Sequence, residues 1–200
     1  MCYQENGNKG FEKPLEKHKC FYVVHIVFFR YHADKLITED IGNDKPRNGS
    51  DELLNNLDYA IISMHRQNYR SGSVSQNTEA YINAIKHPAV KILGHCDDTH
   101  FPVDYETLAR AALRENVIFE INEAPLAPGG YRGDTRANAA RILYLCQKYQ
   151  LPVILSSDSH GKEHVGDFTY AEEFVHQLMF PETLILNNQL PKLKVFLQTR

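Results

Sequence analysis

From residue 57 onward, short apolar runs alternate with longer amphipathic runs, and this rhythm constrains the fold more than any other feature of the chain. The short runs are continuously apolar, which is typical of strands buried on both faces of a parallel sheet. Strands that alternate with helices predict an α/β architecture, either a barrel or an open sheet. The predicted strands are 59–63, 90–94, 117–121, 152–156 and a short last one at 183–186; the predicted helices are 77–86, 104–115 with Asp104 as N-cap, 134–149, 170–179 and 190–198.

Residues 1–50 lack this rhythm and form a divergent or poorly defined segment ahead of a domain over 51–200. The most apolar run, 21–29, has about half the ~20 residues that a membrane-spanning helix needs, so no membrane association is expected. The cysteines are scattered without a CxxC pair, which argues against a disulfide scaffold and suits a cytoplasmic location. The formal net charge of −3 gives no reason to expect general nucleic-acid binding.

Side chains that can bind metal follow the predicted strands. His65 follows the first strand, His95 follows the second, the third ends at Asn122, and Asp158 and His160 follow the fourth. Because the carboxyl ends of parallel strands converge on one face, we expect these groups to meet there. Imidazole and carboxylate ligands together suit zinc, manganese or iron. In an extended segment, residues 158 and 160 project to the same side and can serve one metal or two neighbouring ones.

Other polar residues near the same strand ends have open roles. Glu120 lies among apolar neighbours and is either a group behind the metal ligands or a carboxylate at the edge of the core. Cys96, next to His95, can serve as a soft metal ligand, but a buried role as a small apolar residue is the expectation. Arg132 and Arg136 can bind a substrate phosphate as planar donors, or lie in a solvated loop and helix start. The remaining histidines of this region lack such placement and are expected at the surface: His87, His100, His164 and His176.

Four short motifs over about residues 51–200 resemble, in their order and spacing, those of the PHP (polymerase and histidinol phosphatase) family, and most closely its small stand-alone phosphatases. They are LDYAIISMH at 57–65, ILGH at 92–95 followed by FPVD at 101–104, FEIN at 119–122, and SDSH at 157–160 followed by VGDF at 165–168. The resemblance implies a distorted seven-stranded (β/α) barrel, incomplete here at its N-terminal end. It also implies a cluster of up to three zinc or manganese ions and the hydrolysis of phosphate esters.

The family's metal ligands carry over to His65, His95, Asp158 and His160. Its opening HxH motif has no counterpart in this chain, although Glu39 lies near the place of a Glu ligand. There is no GxSxG motif or P-loop, so a metal-activated water, acting on a small phosphorylated substrate, is the expected nucleophile. The alternatives are a catalytically inactive remnant with a metal-binding or structural role and, third, a metal-dependent amidohydrolase.

Overall fold

The computed structural model describes residues 58–66, 69–129, 132–159 and 164–198, together with the backbone of three strands in the N-terminal segment. The strands are β1 (Val23–Val27), β2 (Phe29–His32), β3 (Lys35–Ile37), β4 (Tyr59–Ser63), β5 (Val90–Leu93), β6 (Ile118–Asn122) and β7 (Val153–Ser156). The helices are α1 (Val74–Ala84), α2 (Tyr105–Glu115), α3 (Glu123–Leu126), α4 (Arg136–Tyr149), α5 (Thr169–Gln177) and α6 (Leu190–Gln198). The predicted α/β alternation is confirmed.

The strands β1, β4, β5, β6 and β7 form one parallel sheet in that order, and β2 pairs antiparallel with β3. The segment over residues 1–50 therefore adds a strand to the sheet, with Val23 opposite Tyr59. In the part of the chain that the structure describes, β1 and β7 are edge strands. The sheet is open there, and the expected barrel is not confirmed.

The strand predicted at 183–186 is wrong. This stretch forms two turns of 3-10 helix, Glu182–Leu184 and Leu186–Asn188, and a single bridge joins Ile185 to Val153 of β7. The side chain of Asn187 takes the place of a further strand. Its amide oxygen accepts the N–H of Leu155 at 2.8 Å and its amide nitrogen donates to the carbonyl of the same residue at 2.9 Å. Backbone groups at this edge of β7 are thereby paired without a ladder.

The strands β4 to β7 are buried on both faces, which explains why they read as continuous apolar runs. One face packs with the helices α1, α2, α4 and α5 through a core that includes Ile62, Leu93, Phe119 and Leu155. The other face contributes a second cluster, in which Ile61, Ile92, Ile118 and Ile154 are joined by Leu186 and by Leu197 of α6. Among the described residues, no helix combines the length and the apolar character needed to cross a bilayer.

Residues at the ends of α2 and α4 fix where these two helices begin or end. The predicted N-cap Asp104 is confirmed, since its carboxylate accepts the N–H groups of Glu106 and Thr107 at 3.1 and 3.2 Å. Asn116 ends α2 and Gln150 ends α4, both in the left-handed conformation, with φ of 53° and 55°. Each reversal leads within a few residues into the next strand, so that the carboxyl ends of β4 to β7 lie at the same end of the sheet.

Candidate functional site

His65 and His95, which follow β4 and β5, meet at the carboxyl end of the sheet. Their Nε2 atoms lie 3.1 Å apart, and their rings cross edge to face with centroids 4.7 Å apart. Ser63 at the end of β4 places its Oγ 3.1 Å from Nε2 of His65. His95 is buried, whereas His65 is partly open to solvent. The structure thus brings together two of the residues that the sequence predicts as metal ligands.

The turn that carries His95 is tight. The N–H of Gly94 donates to the carbonyl of Ile62 at 2.7 Å, and a Cβ atom on Gly94 would lie 3.0 Å from Cγ2 of Ile61 and 3.3 Å from the carbonyl oxygen of Ile62. Glycine is therefore needed for the close approach of this turn to β4. His95 itself has a φ of 31°, a left-handed conformation that costs free energy in a residue with a side chain.

Glu120 holds this turn in place. Its carboxylate accepts the backbone N–H of His95 at 2.7 Å and the hydroxyl of Ser156 at 2.5 Å, so it ties β6 to the ends of β5 and β7. Burial raises the pKa of Glu120, although the hydrogen bond from Ser156 opposes the shift. Of the two roles left open by the sequence, the structure favours a group behind the histidines, because both carboxylate oxygens are engaged by neighbouring loops.

Asp158 follows β7 and has a φ of 45°, so two of the predicted ligands share a left-handed backbone. Its Oδ2 accepts hydrogen bonds from Arg132 at 2.8 Å and from the amide of Asn122 at 3.1 Å. Burial acts to raise the pKa of Asp158, but the hydrogen bond and charge of Arg132 outweigh it and lower the pKa to about 2. The carboxylate is therefore ionised and held in one orientation at the carboxyl end of β7.

The two arginines considered as phosphate ligands have different surroundings. Arg132 is buried, with 5% of its side chain exposed, and pairs with Asp158. Arg136 is at the surface, where its guanidinium donates to the carbonyl of Leu126 at 2.7 Å and lies over the ring of Phe174. Arg132 is therefore not a solvated loop residue. Its position beside a predicted metal ligand makes it the better candidate of the two.

Three carboxyl groups and one arginine lie together at the site. Asp97, Glu120 and Asp158 are buried or nearly so, and the charge of Arg132 acts on all three. Burial raises the pKa of Asp97 to about 7, and the charge of Glu120 adds to the shift. Buried carboxylates that outnumber the nearby arginine favour the binding of a divalent cation, because such an ion offsets their mutual repulsion.

The donor atoms fit a metal ion in chemistry and spacing. Two imidazole nitrogens that bind one ion through bonds of about 2.1 Å lie at most about 4.2 Å apart, and the observed separation of the His65 and His95 nitrogens, 3.1 Å, satisfies this limit. Among the described residues, no group of three or more His, Cys, Asp or Glu side chains is close enough to hold an ion by itself. The predicted ligand His160 and the suggested Glu39 lie outside the described residues. The histidine pair therefore fits part of a metal site.

The loop after β5 carries groups that the sequence interpretation did not assign to the site. The carboxylate of Asp98 accepts a hydrogen bond from Nδ1 of His100 at 2.7 Å, and Nε2 of His100 lies 3.5 Å from Nη1 of Arg66. The run of polar residues directly after β5 is the feature of the sequence that could have indicated these groups. His100, His164 and His176 are exposed as predicted, whereas His87 is half-buried, and Cys96 is buried as predicted.

The fold and this arrangement define an α/β protein with a parallel sheet, in which side chains from successive strand ends form one polar site. Three relatives carry the name "Probable phosphatase". The protein from Clostridium botulinum is 35% identical over 144 residues, which cover 72% of this chain and 58% of that protein. The protein from Clostridium acetobutylicum is 31% identical, over 75% of this chain and 61% of that protein. The protein from Caldicellulosiruptor saccharolyticus is 30% identical, over 86% of this chain and 70% of that protein. The chain belongs to this family of probable phosphatases.

The chain spans about three fifths of the length of the two clostridial relatives. No family model matches it. In the structure titled "cryo-EM structure of archaeal Ribonuclease P with mature tRNA", one chain resembles this protein with a TM-score of 0.57 and 19% identity, covering 91% of this chain and 69% of that one. At this level of identity the likeness concerns the fold alone.

Proposed function

We propose that the protein is a metal-dependent phosphatase of the PHP type that hydrolyses a small phosphorylated substrate. The observation that carries the proposal is the convergence of Nε2 of His65 and Nε2 of His95 to 3.1 Å in a site where buried carboxylates outnumber the arginine. The names of the relatives support the phosphatase class. The parallel βα units from β4 to β7 would form one arc of the PHP-type barrel.

His65 and His95 would hold zinc or manganese, with Asp158 and His160 as the remaining ligands. Imidazole and carboxylate oxygen are donors that suit either metal. Asp158 is preset for this role, because Arg132 and Asn122 fix its carboxylate and keep it ionised. Glu120 supports the site without being a ligand, since it holds the backbone of His95.

Zinc or manganese, when bound, would supply Lewis acidity toward the phosphoryl oxygens and would lower the pKa of water. The protein's own groups then bind and orient the substrate. Arg132 is buried beside Asp158, and its planar guanidinium has further donors that can bind a phosphoryl oxygen while one amino group remains on the carboxylate. Ser156 donates its hydroxyl to Glu120, so it is engaged as a support and not as a nucleophile.

Metal content and turnover of the purified full chain test the proposal. We expect the native protein to bind zinc or manganese and to hydrolyse p-nitrophenyl phosphate, and we expect His95→Ala and Asp158→Ala each to lose metal and turnover. His176→Ala is the matched control, because this histidine is exposed on α5. Circular dichroism shows whether the variants are folded.

Two results would contradict the proposal in different ways. Unchanged metal content in both folded variants would exclude these ligands. Metal binding without turnover of any phosphate ester would favour the alternative, an inactive remnant that retains a metal-binding role.

A further inference from the structure

Arg66 and His100 form a surface pair between the loops that carry His65 and His95. Arg66 directly follows His65, and His100 lies in the loop that begins with His95, so the pair bridges the loops after β4 and β5. Both side chains are exposed, with 37% of the His100 side chain open to solvent. The pair therefore lies at the carboxyl end of the same two strands as the His65–His95 pair, but in contact with solvent.

The position of His100 is held by contacts to both halves of the site. Oδ1 of Asp98 accepts hydrogen bonds from Nδ1 of His100 at 2.7 Å and from the backbone N–H of the same residue at 2.9 Å. The N–H of Asp98 donates to the carbonyl of His95 at 3.1 Å, and the hydroxyl of Thr99 donates to the carbonyl of Arg132 at 3.2 Å. The ring is thus fixed relative to a proposed metal ligand on one side and to the buried arginine on the other.

A cation in this place needs an explanation. A guanidinium on the loop that carries a proposed metal ligand opposes the binding of a divalent ion by charge repulsion. Among the described residues no carboxylate pairs with Arg66, and Asp98 reaches it only through His100. An anionic group of a ligand would remove this repulsion, and arginine is well suited to it because its planar donors match the oxygens of a carboxylate or phosphate.

We propose that Arg66, whose guanidinium is oriented by Nε2 of His100, binds a second anionic group of the substrate, a carboxylate or a second phosphate, while the ester phosphate occupies the metal site. The proposal rests on the proposed phosphatase function and names its substrate class: small phosphate esters that carry a further negative charge. Asp98 acts as a positioning residue, since it orients the His100 ring and makes no direct contact with Arg66.

A matched pair of substrates tests the proposal. 3-Phosphoglycerate and glycerol 3-phosphate differ in that a carboxylate replaces a hydroxymethyl group. We expect the native protein to have the higher kcat/KM for 3-phosphoglycerate, and we expect the ratio of the two kcat/KM values to fall about tenfold in Arg66→Ala and in His100→Ala, as for the loss of one charge-assisted contact worth about 1.4 kcal/mol. Arg70→Ala is the control, an exposed arginine a few residues further along the chain, and its ratio should equal that of the native protein.

Isothermal titration with the same two compounds separates this proposal from the phosphatase proposal. Tighter binding of 3-phosphoglycerate by the native protein, lost in Arg66→Ala and kept in Arg70→Ala, would support the anion site even if no ester is hydrolysed. The proposal would be overturned if the ratio of the two kcat/KM values were the same in the native protein and in both folded variants. If no ester is hydrolysed, equal ratios of the two affinities would overturn it in the same way.

Discussion

Replacement of Glu120 tests the idea that this carboxylate holds the site together from behind. In Glu120→Ala, the N–H of His95 and the hydroxyl of Ser156 lose their acceptor, and both groups are buried. In Glu120→Gln, the amide oxygen can accept from the N–H of His95 while the amide nitrogen donates to Ser156, so both contacts are retained without the charge. The two variants therefore separate the loss of the hydrogen bonds from the loss of the negative charge.

The expected magnitudes follow from these contacts. A buried donor left without an acceptor costs about 1–3 kcal/mol, so two such groups give about 2–6 kcal/mol for Glu120→Ala. For Glu120→Gln we expect a loss of about 1 kcal/mol, since two charge-assisted hydrogen bonds become neutral ones.

Urea unfolding followed by circular dichroism measures these losses. The titrations are made in the presence of a chelator, because a bound metal would add its own stabilisation. A Glu120→Ala variant within about 0.5 kcal/mol of the native protein would refute the reasoning, since effects of that size are usual for surface residues. Equal destabilisation of the Ala and Gln variants would refute it as well, because it would place the effect in the charge and not in the two hydrogen bonds.

Two further predictions concern the helices. Gln150 ends α4 with a φ of 55°, so Gln150→Gly should raise the free energy of unfolding by about 0.5 kcal/mol. Gln147→Gly, inside the same helix, should lower it by about 1 kcal/mol. A loss of stability in both variants by urea titration would be inconsistent with relief of backbone strain. Hydrogen bonds from Tyr149 and Lys148 lower the pKa of Glu106 from 4.5 to about 2. Because the folded-state pKa is depressed, this stabilisation is present above pH 4.5 and is lost as the pH falls toward 2. Between about pH 5 and about pH 3, the Glu106→Gln variant should therefore lose less stability than the native protein. Equal losses in the urea midpoint of unfolding would contradict the assignment.

The architecture after residue 57 was predictable because its signals are local. Each of the strands β4 to β7 lies within one residue of its predicted bounds, and Asp104 caps α2 as its sequence position predicts. The strand predicted at 183–186 failed, because a single side chain, Asn187, pairs with the edge of β7 in place of a strand. The barrel that the family resemblance implies stays a proposal, since the described strands form an open sheet.

The site was predictable in place but only partly in detail. The sequence indicated that polar groups follow successive strands, and the structure brings His65 and His95 together. The sequence offered no way to decide between the two roles of Glu120. The metal-ligand assignment of His65, His95, Asp158 and His160 stays a prediction.

By itself the sequence determined which residues lie at strand ends, because apolar runs, caps and turns act between near neighbours along the chain. Only the tertiary structure decided which of those residues touch. Arg132 pairs with Asp158 across 26 positions, Glu120 holds His95 across 25, and Arg66 contacts His100 across 34. These contacts depend on the order of strands in the sheet and on the left-handed turns at their ends, and side-chain chemistry at each position leaves several partners open until the packing of the sheet selects one.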